Sequence, residues 1–202
     1  MKSHCLISGT GRAGTTFLVQ LFTRLGLDTG FSEETLTVDK IANAGLERCN
    51  ITDKSPYILK SPWFCDTIEK IVLANVIDCV IIPMRNLKDA AASRIRVQNN
   101  HGPEKRKTPV PGGLWHTYDP DEQEKILAIQ FTRLVQTLIA HEIPMFFLHF
   151  PRFAQDAMYL YQKVKFLMPH RSFEEFVTIF KLTVKPELIH SFFYQQDVGI
   201  GT

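Results

Sequence analysis

The stretch that most restricts the fold lies near the start of the chain: CLISGTGRAGTTFLVQLF, residues 5–22. A short apolar run leads straight into glycines at positions 9, 11 and 14, and these lead straight into a second apolar run. In the second run Phe17, Leu18, Leu21, Phe22 and Leu25 recur at helical spacing, and Gly26 supplies a stop. A strand, a glycine turn and an amphipathic helix with no linker between them form the opening unit of an α/β domain. Glycines let such a turn bring several backbone N–H groups onto one anion. The helix that begins near Gly14 adds the positive end of its dipole.

The rest of the chain repeats the alternation. YILK, residues 57–60, sits between Pro56 and Pro62 and predicts a second strand, with a helix over 63–74. VIDCVIIPMR, residues 76–85, is β-branched and apolar throughout, as buried parallel strands are. An alanine-rich helix is expected over 87–98. Residues 99–118 break the pattern with VPGG, a basic run Lys105-Arg106-Lys107 and the pair Trp115-His116, and read as a lid or acceptor loop. Asp119 and Pro120 then open a helix to about residue 140. MFFLHF, 145–150, predicts a fourth strand, and helices are expected at 152–167 and 172–181, the latter in a helical C-terminal segment, 170–202. The expectation is a single domain over 1–202: a three-layer α/β/α fold of P-loop nucleotide-binding type with a central, mostly parallel sheet.

Bulk properties narrow the partners only slightly. At 202 residues, 45% hydrophobic and 22% charged, the chain has ordinary soluble composition. A net charge of +2 gives no reason to expect nucleic acid as a partner, yet leaves room for a local anionic ligand. Cys5, Cys49, Cys65 and Cys79 show no CxxC and no metal-ligand spacing, so reduced, mostly buried thiols in a cytoplasmic protein are expected. No run reaches the roughly 18 apolar residues of a membrane span. The first apolar run ends at Ser8 with Arg12 close behind, unlike a signal peptide.

The spacing Gly9-x4-Gly14-Thr15-Thr16 is that of a nucleotide phosphate loop, but Thr15 stands where such a loop carries lysine, and Arg12 sits inside it. Metal-assisted phosphoryl transfer also asks for an aspartate at the end of a later strand. Here the candidate strand ends Pro83-Met84-Arg85. The loop therefore reads as an anion binder that requires no metal. Lys60 and Arg85 stand at the carboxyl ends of their own predicted strands, the edge where open α/β sheets bind ligands.

These residues resemble the sulfotransferases that use 3′-phosphoadenosine 5′-phosphosulfate (PAPS). The loop Gly9-Thr10-Gly11-Arg12-Ala13-Gly14-Thr15-Thr16 is similar to that family's 5′-phosphosulfate loop, GxxRxGTT. In IIPMRNLKDAAASR, Arg85 and Ser93 are spaced like the family's 3′-phosphate pair, and ILKSPWF supplies Lys60 as the strand-end lysine. The chain looks closer to compact bacterial and Golgi-type members, since the glycine-rich C-terminal cofactor loop of the cytosolic branch is not evident. The resemblance implies a cofactor site of Gly11, Arg12, Ala13, Gly14, Thr15, Thr16, Arg85 and Ser93. It also implies transfer of a sulfuryl group from PAPS to a hydroxyl or amine of a carbohydrate or small metabolite, leaving PAP, the 3′,5′-bisphosphate. Arg12 and Lys60 would neutralise the phosphosulfate. GFSEETL is similar to the GEET stretch of tyrosylprotein sulfotransferases, which nominates Glu34 as the general base, with His116 as second choice. Two other readings stay open: a P-loop kinase of a small molecule, and a non-catalytic adenine-nucleotide-binding module. A homodimer is compatible with all three.

Overall fold

The computed structural model describes residues 2–105 and 108–189. Arg106 and Lys107 of the basic run, and residues 190–202 of the C-terminal segment, lie outside them. The chain runs β1 (Ser3–Ile7), α1 (Thr15–Arg24), β2 (Ile58–Lys60), α2 (Phe64–Ala74), β3 (Val76–Met84), α3 (Leu87–Asn100), α4 (Gln123–Ala140), β4 (Met145–His149), α5 (Arg152–Gln155), α6 (Ala157–Val164) and α7 (Phe173–Thr183). The four strands form one sheet in the order β2-β1-β3-β4, every neighbouring pair parallel.

Alternation along the strands separates two cores. Cys5, Ile7, Cys79, Ile81 and Leu148 face α1, α6 and α7, where Leu18, Phe22, Leu160, Phe176 and Phe180 pack. Leu6, Leu59, Val80 and Ile82 face α2, α3 and α4, against Phe64, Ile68, Ala90, Leu127 and Leu134. Helices thus cover both faces, which is why the strands carry apolar residues at consecutive positions. The pairing shifts between His4↔Ile77 and Cys5↔Cys79, so Asp78 is an extra residue in β3. Its carboxylate accepts hydrogen bonds from the Ser3 and Tyr57 hydroxyls.

After β1 the chain goes to one side to form β2, then crosses back over β1 to form β3. The carboxyl ends of β1 and β3 therefore flank the point where the strand order reverses, the crevice in which open α/β sheets take ligands. The glycine loop leaves β1 at this point.

The helix expected over 152–167 is not continuous. Asp156 leaves helical geometry at φ −118° and ψ 95°, and its carboxylate accepts from the Tyr159 N–H, ending α5 and capping α6. A 3₁₀ turn over Lys165–Leu167 completes the segment. Of the cysteines, Cys5, Cys65 and Cys79 are buried, Cys49 is exposed, and all four are free. Among the described residues no helix is long and apolar enough to cross a membrane.

Candidate functional site

The glycine loop closes only because its turns need no side chain. Gly11 has φ 70°, and a Cβ there would fall 2.5 Å from Nη2 of Arg94. Gly14 has φ 76°, and its Cβ would fall 2.8 Å from the Phe153 ring. An L-residue in this left-handed region costs about 1–2 kcal/mol before any clash. Arg12 accepts that geometry at φ 54°. The result is a loop with its carbonyls tied down. Gly9 O accepts from the Cys65 thiol, Thr10 O from Arg94, Arg12 O from Arg85 and Gly14 O from the Leu18 N–H. Among the described residues no acceptor lies against the backbone N–H groups of Gly11, Arg12, Ala13 and Gly14. These donors precede the first turn of α1, so N–H groups and the helix dipole act together on any anion there.

Three further cations surround the loop. The Arg12 side chain reaches α3, where its Nε donates to Ser93 Oγ at 3.1 Å, while Nη1 donates to Ala42 O. Arg85, just beyond β3, donates to Arg12 O at 2.9 Å, and its guanidinium lies 5.1 Å from the Phe150 ring centroid. Lys60, the last residue of β2, is buried. Its Nζ donates to Gly45 O at 2.8 Å, contacts Thr16 Oγ1 at 3.5 Å and pairs with Glu47. Burial and the neighbouring Arg85 push the Arg12 guanidinium down to about 10. Burial lowers Arg85, against the attraction of Asp89 one turn on. Burial likewise holds Lys60 below its usual range, against the attraction of Glu47. Burial is the largest cause of each shift, and a neighbouring cation adds to it only at Arg12, from Arg85, and at Lys60, from Arg12.

These groups open into one cleft of about 920 Å³. Its far wall is the 108–118 segment, which is anchored by buried side chains of α3 and α4. Arg94 donates to Gly113 O, Gln98 donates to Thr108 O and accepts from the Leu114 N–H, and Gln123 exchanges hydrogen bonds with both backbone groups of Trp115. The 108–118 part of the stretch expected to be a lid or acceptor loop thus forms a cleft wall held by three side chains, Arg94, Gln98 and Gln123. Within this segment Trp115 is buried. Beside it His116 stacks on Trp115 at 5.4 Å and contacts Asp66 of α2 through Nε2 at 3.0 Å. The rim carries exposed apolar side chains, Ile41, Trp63, Tyr118 and Leu188.

The structure brings Arg12, Lys60, Arg85 and Ser93 to this cleft together with Gly11, Gly14, Thr15 and Thr16. Ala13 differs: its side chain is buried in the core beneath α1 and only its backbone belongs to the loop. Glu34 is not among them. It is exposed in a 3₁₀ turn, Glu33–Thr35, whose Glu33 pairs with Arg24 at the last residue of α1. The loop lies at the other end of that helix, whose 10 residues span about 15 Å at the rise of an α-helix. The acid that reaches the cleft is instead Glu47, and no sequence motif marks it. Arg94 was also missed, although it directly follows Ser93 in the quoted stretch. Among the described residues no three His, Cys, Asp or Glu side chains gather as a metal-binding group.

Compared with known proteins, the chain matches no family model, no curated sequence and no solved structure.

Proposed function

We propose that the chain is a sulfotransferase of P-loop type that moves a sulfuryl group from PAPS to a hydroxyl or amine acceptor, a carbohydrate or small metabolite. The observation that carries the reading is the convergence of Arg12, Lys60, Arg85 and Ser93 on a loop whose N–H groups at residues 11–14 have no acceptor among the described residues. The residues fit a ligand with two anionic ends. Open N–H groups and Arg12 serve one end, and Arg85 with Ser93 serves the other. Close backbone approach is available at Gly11 and Gly14. A kinase reading asks for a carboxylate at the end of β3 to hold a metal, and this chain has Met84 followed by Arg85.

When bound, the donor supplies a sulfuryl group on a phosphate leaving group. In that reaction the acceptor oxygen or nitrogen bonds to sulfur, the bond from sulfur to the 5′-phosphate oxygen breaks with its electron pair, and the acceptor proton passes to a base. Arg12 and Lys60 are fixed cations for the charge that develops on the leaving oxygen, already oriented before reaction. Two groups at the cleft can take the proton. His116 is oriented by Asp66, and Glu47 is held by Lys60. Glu47→Gln and His116→Ala separate them, because only loss of the base lowers turnover by the roughly 10²–10⁴-fold that general base catalysis supplies.

The test is calorimetric titration with PAP, 5′-AMP and ATP, with and without Mg²⁺, followed by labelled PAPS against an acceptor panel. Metal-independent binding of PAP well above AMP, reduced to the AMP level by Arg85→Ala, is the expected result. A preference for Mg-ATP sinks the assignment. Tight PAP binding with no sulfated product from any acceptor leaves the binding-module reading.

A further inference from the structure

We infer that Arg94 is a positioning residue that holds the glycine loop and the 108–118 wall in one grip, and so sets the direction of the loop's N–H groups toward an anionic ligand. The inference rests on the proposed function only for the identity of the anion.

Arg94 sits one residue after Ser93 on α3 and is buried. Its two terminal nitrogens are divided between two chain segments. Nη2 donates to Thr10 O in the loop and Nη1 donates to Gly113 O in the wall, both at 2.8 Å. Its guanidinium lies 4.8 Å from the Trp115 ring centroid. A trans peptide points its C=O and the following N–H in opposite directions. Fixing Thr10 O on Arg94 therefore turns the Gly11 N–H away from Arg94. Arg85 does the same two peptides further on, through Arg12 O, for the Ala13 N–H. Two arginines thus take carbonyls of the loop, whose N–H groups at residues 11–14 have no partners among the described residues.

A second observation points to a ligand. Arg94 Nε is buried with no hydrogen-bond partner among the described residues, and the side chain lines the cleft. The cation finds two carbonyls and an indole face, with Arg12 as its charged neighbour. Burial, and then repulsion from Arg12, pushes the guanidinium down to about 9. An arginine keeps its proton in proteins, so the strain is relieved by an anion rather than by deprotonation. Lysine cannot replace it, because one ammonium does not span two carbonyls set in a planar fork.

The test compares wild type with Arg94→Met and Arg94→Lys by titration with PAP, 5′-AMP and inorganic pyrophosphate. Hydrogen bonds from a charged group, at about 1.5–3 kcal/mol, set the expected loss at about 10- to 100-fold. PAP and AMP should weaken by the same factor, because Arg94 acts on the loop both 5′-phosphates share. A purely structural defect would instead lower the melting temperature and leave the affinity of the folded fraction unchanged. Methylguanidinium added to Arg94→Ala should restore part of the affinity. Variants that bind like wild type, or that lose PAP while keeping AMP, overturn the inference. The second result would make Arg94 a direct reader of the 3′-phosphate. Wild-type binding of pyrophosphate without PAP sinks the sulfotransferase reading, and an Arg94→Met loss of pyrophosphate then still supports the grip. Wild type that binds none of the three overturns both.

Discussion

Replacing Lys60 with methionine tests how the cleft stores its charge. Methionine keeps much of the volume and removes the ammonium. Glu47 then faces the site without its cation, and Gly45 O loses its donor. Breaking a buried pair by removing one partner costs about 3–5 kcal/mol. The Lys60 side chain is 2% exposed but that of Glu47 is 25% exposed, so water reaches the stranded carboxylate. The expected loss is therefore smaller, about 2–3 kcal/mol. For a chain of this length that lowers Tm by about 4–12 °C. The intact pair is nevertheless not a net source of stability, because burial outweighs Glu47 and holds the Lys60 ammonium below its usual range. The double variant Lys60→Met, Glu47→Met should thus return to within about 1 kcal/mol of wild type. A lysine whose folded pKa lies below its unfolded value binds fewer protons folded than unfolded in the interval between them. Wild-type stability should rise with pH through that window, up to 10.5, and the double variant should lack the rise. Urea unfolding of the four proteins of the cycle, at neutral and alkaline pH, reads both effects. A single variant as stable as the double refutes the stranded-charge argument. Under the proposed function, sulfuryl transfer should be lost in both variants.

Gly14→Ala combines a left-handed backbone with overlap on Phe153 and Phe150, and should cost about 2–4 kcal/mol in urea unfolding; a loss under about 0.5 kcal/mol would mean that the loop relaxes freely. Asp156→Ala should lower Tm by removing the α6 cap, while Asp156→Asn keeps it. The Tyr159 N–H holds the Asp156 carboxyl below 3.8, so its stabilisation is present above that value and fades as pH falls through the lowered one. Asp156→Asn should flatten that acid limb in thermal melts, and an unchanged limb contradicts the assignment. Glu34→Gln should leave PAP affinity and turnover unchanged, given its place at the far end of α1. A large fall in turnover would show that the 33–35 turn reaches the cleft during the reaction.

Much of the architecture was legible because local chemistry and global fold agree. The run at 76–85 carried consecutive apolar residues because both faces of β3 are covered, and Asp119 with Pro120 does open the turn leading into α4. The break at Asp156 was not legible, since Phe153, Leu160 and Val164 all belong to one core and the apolar pattern runs through the cap. The motif GxxRxGTT and the pair Arg85 and Ser93 could be found because each rests on short spacings within one segment. The placement of Glu34 outside the cleft was not legible for the opposite reason. A four-residue likeness says nothing about which end of α1 the following loop returns to.

The sequence by itself determined the glycine turn, the strand–helix alternation and the cations at three strand ends, because those follow from backbone sterics and periodicity within a few residues. Only the tertiary structure decided which side chains face one another across the cleft. Glu47 meets Lys60 because the 45–48 segment runs beside β2, with the Arg48 N–H donating to Lys60 O. Arg94 joins Thr10 to Gly113 across 84 and 19 residues of chain. Contacts of that separation depend on sheet order and helix packing, and no local pattern encodes them.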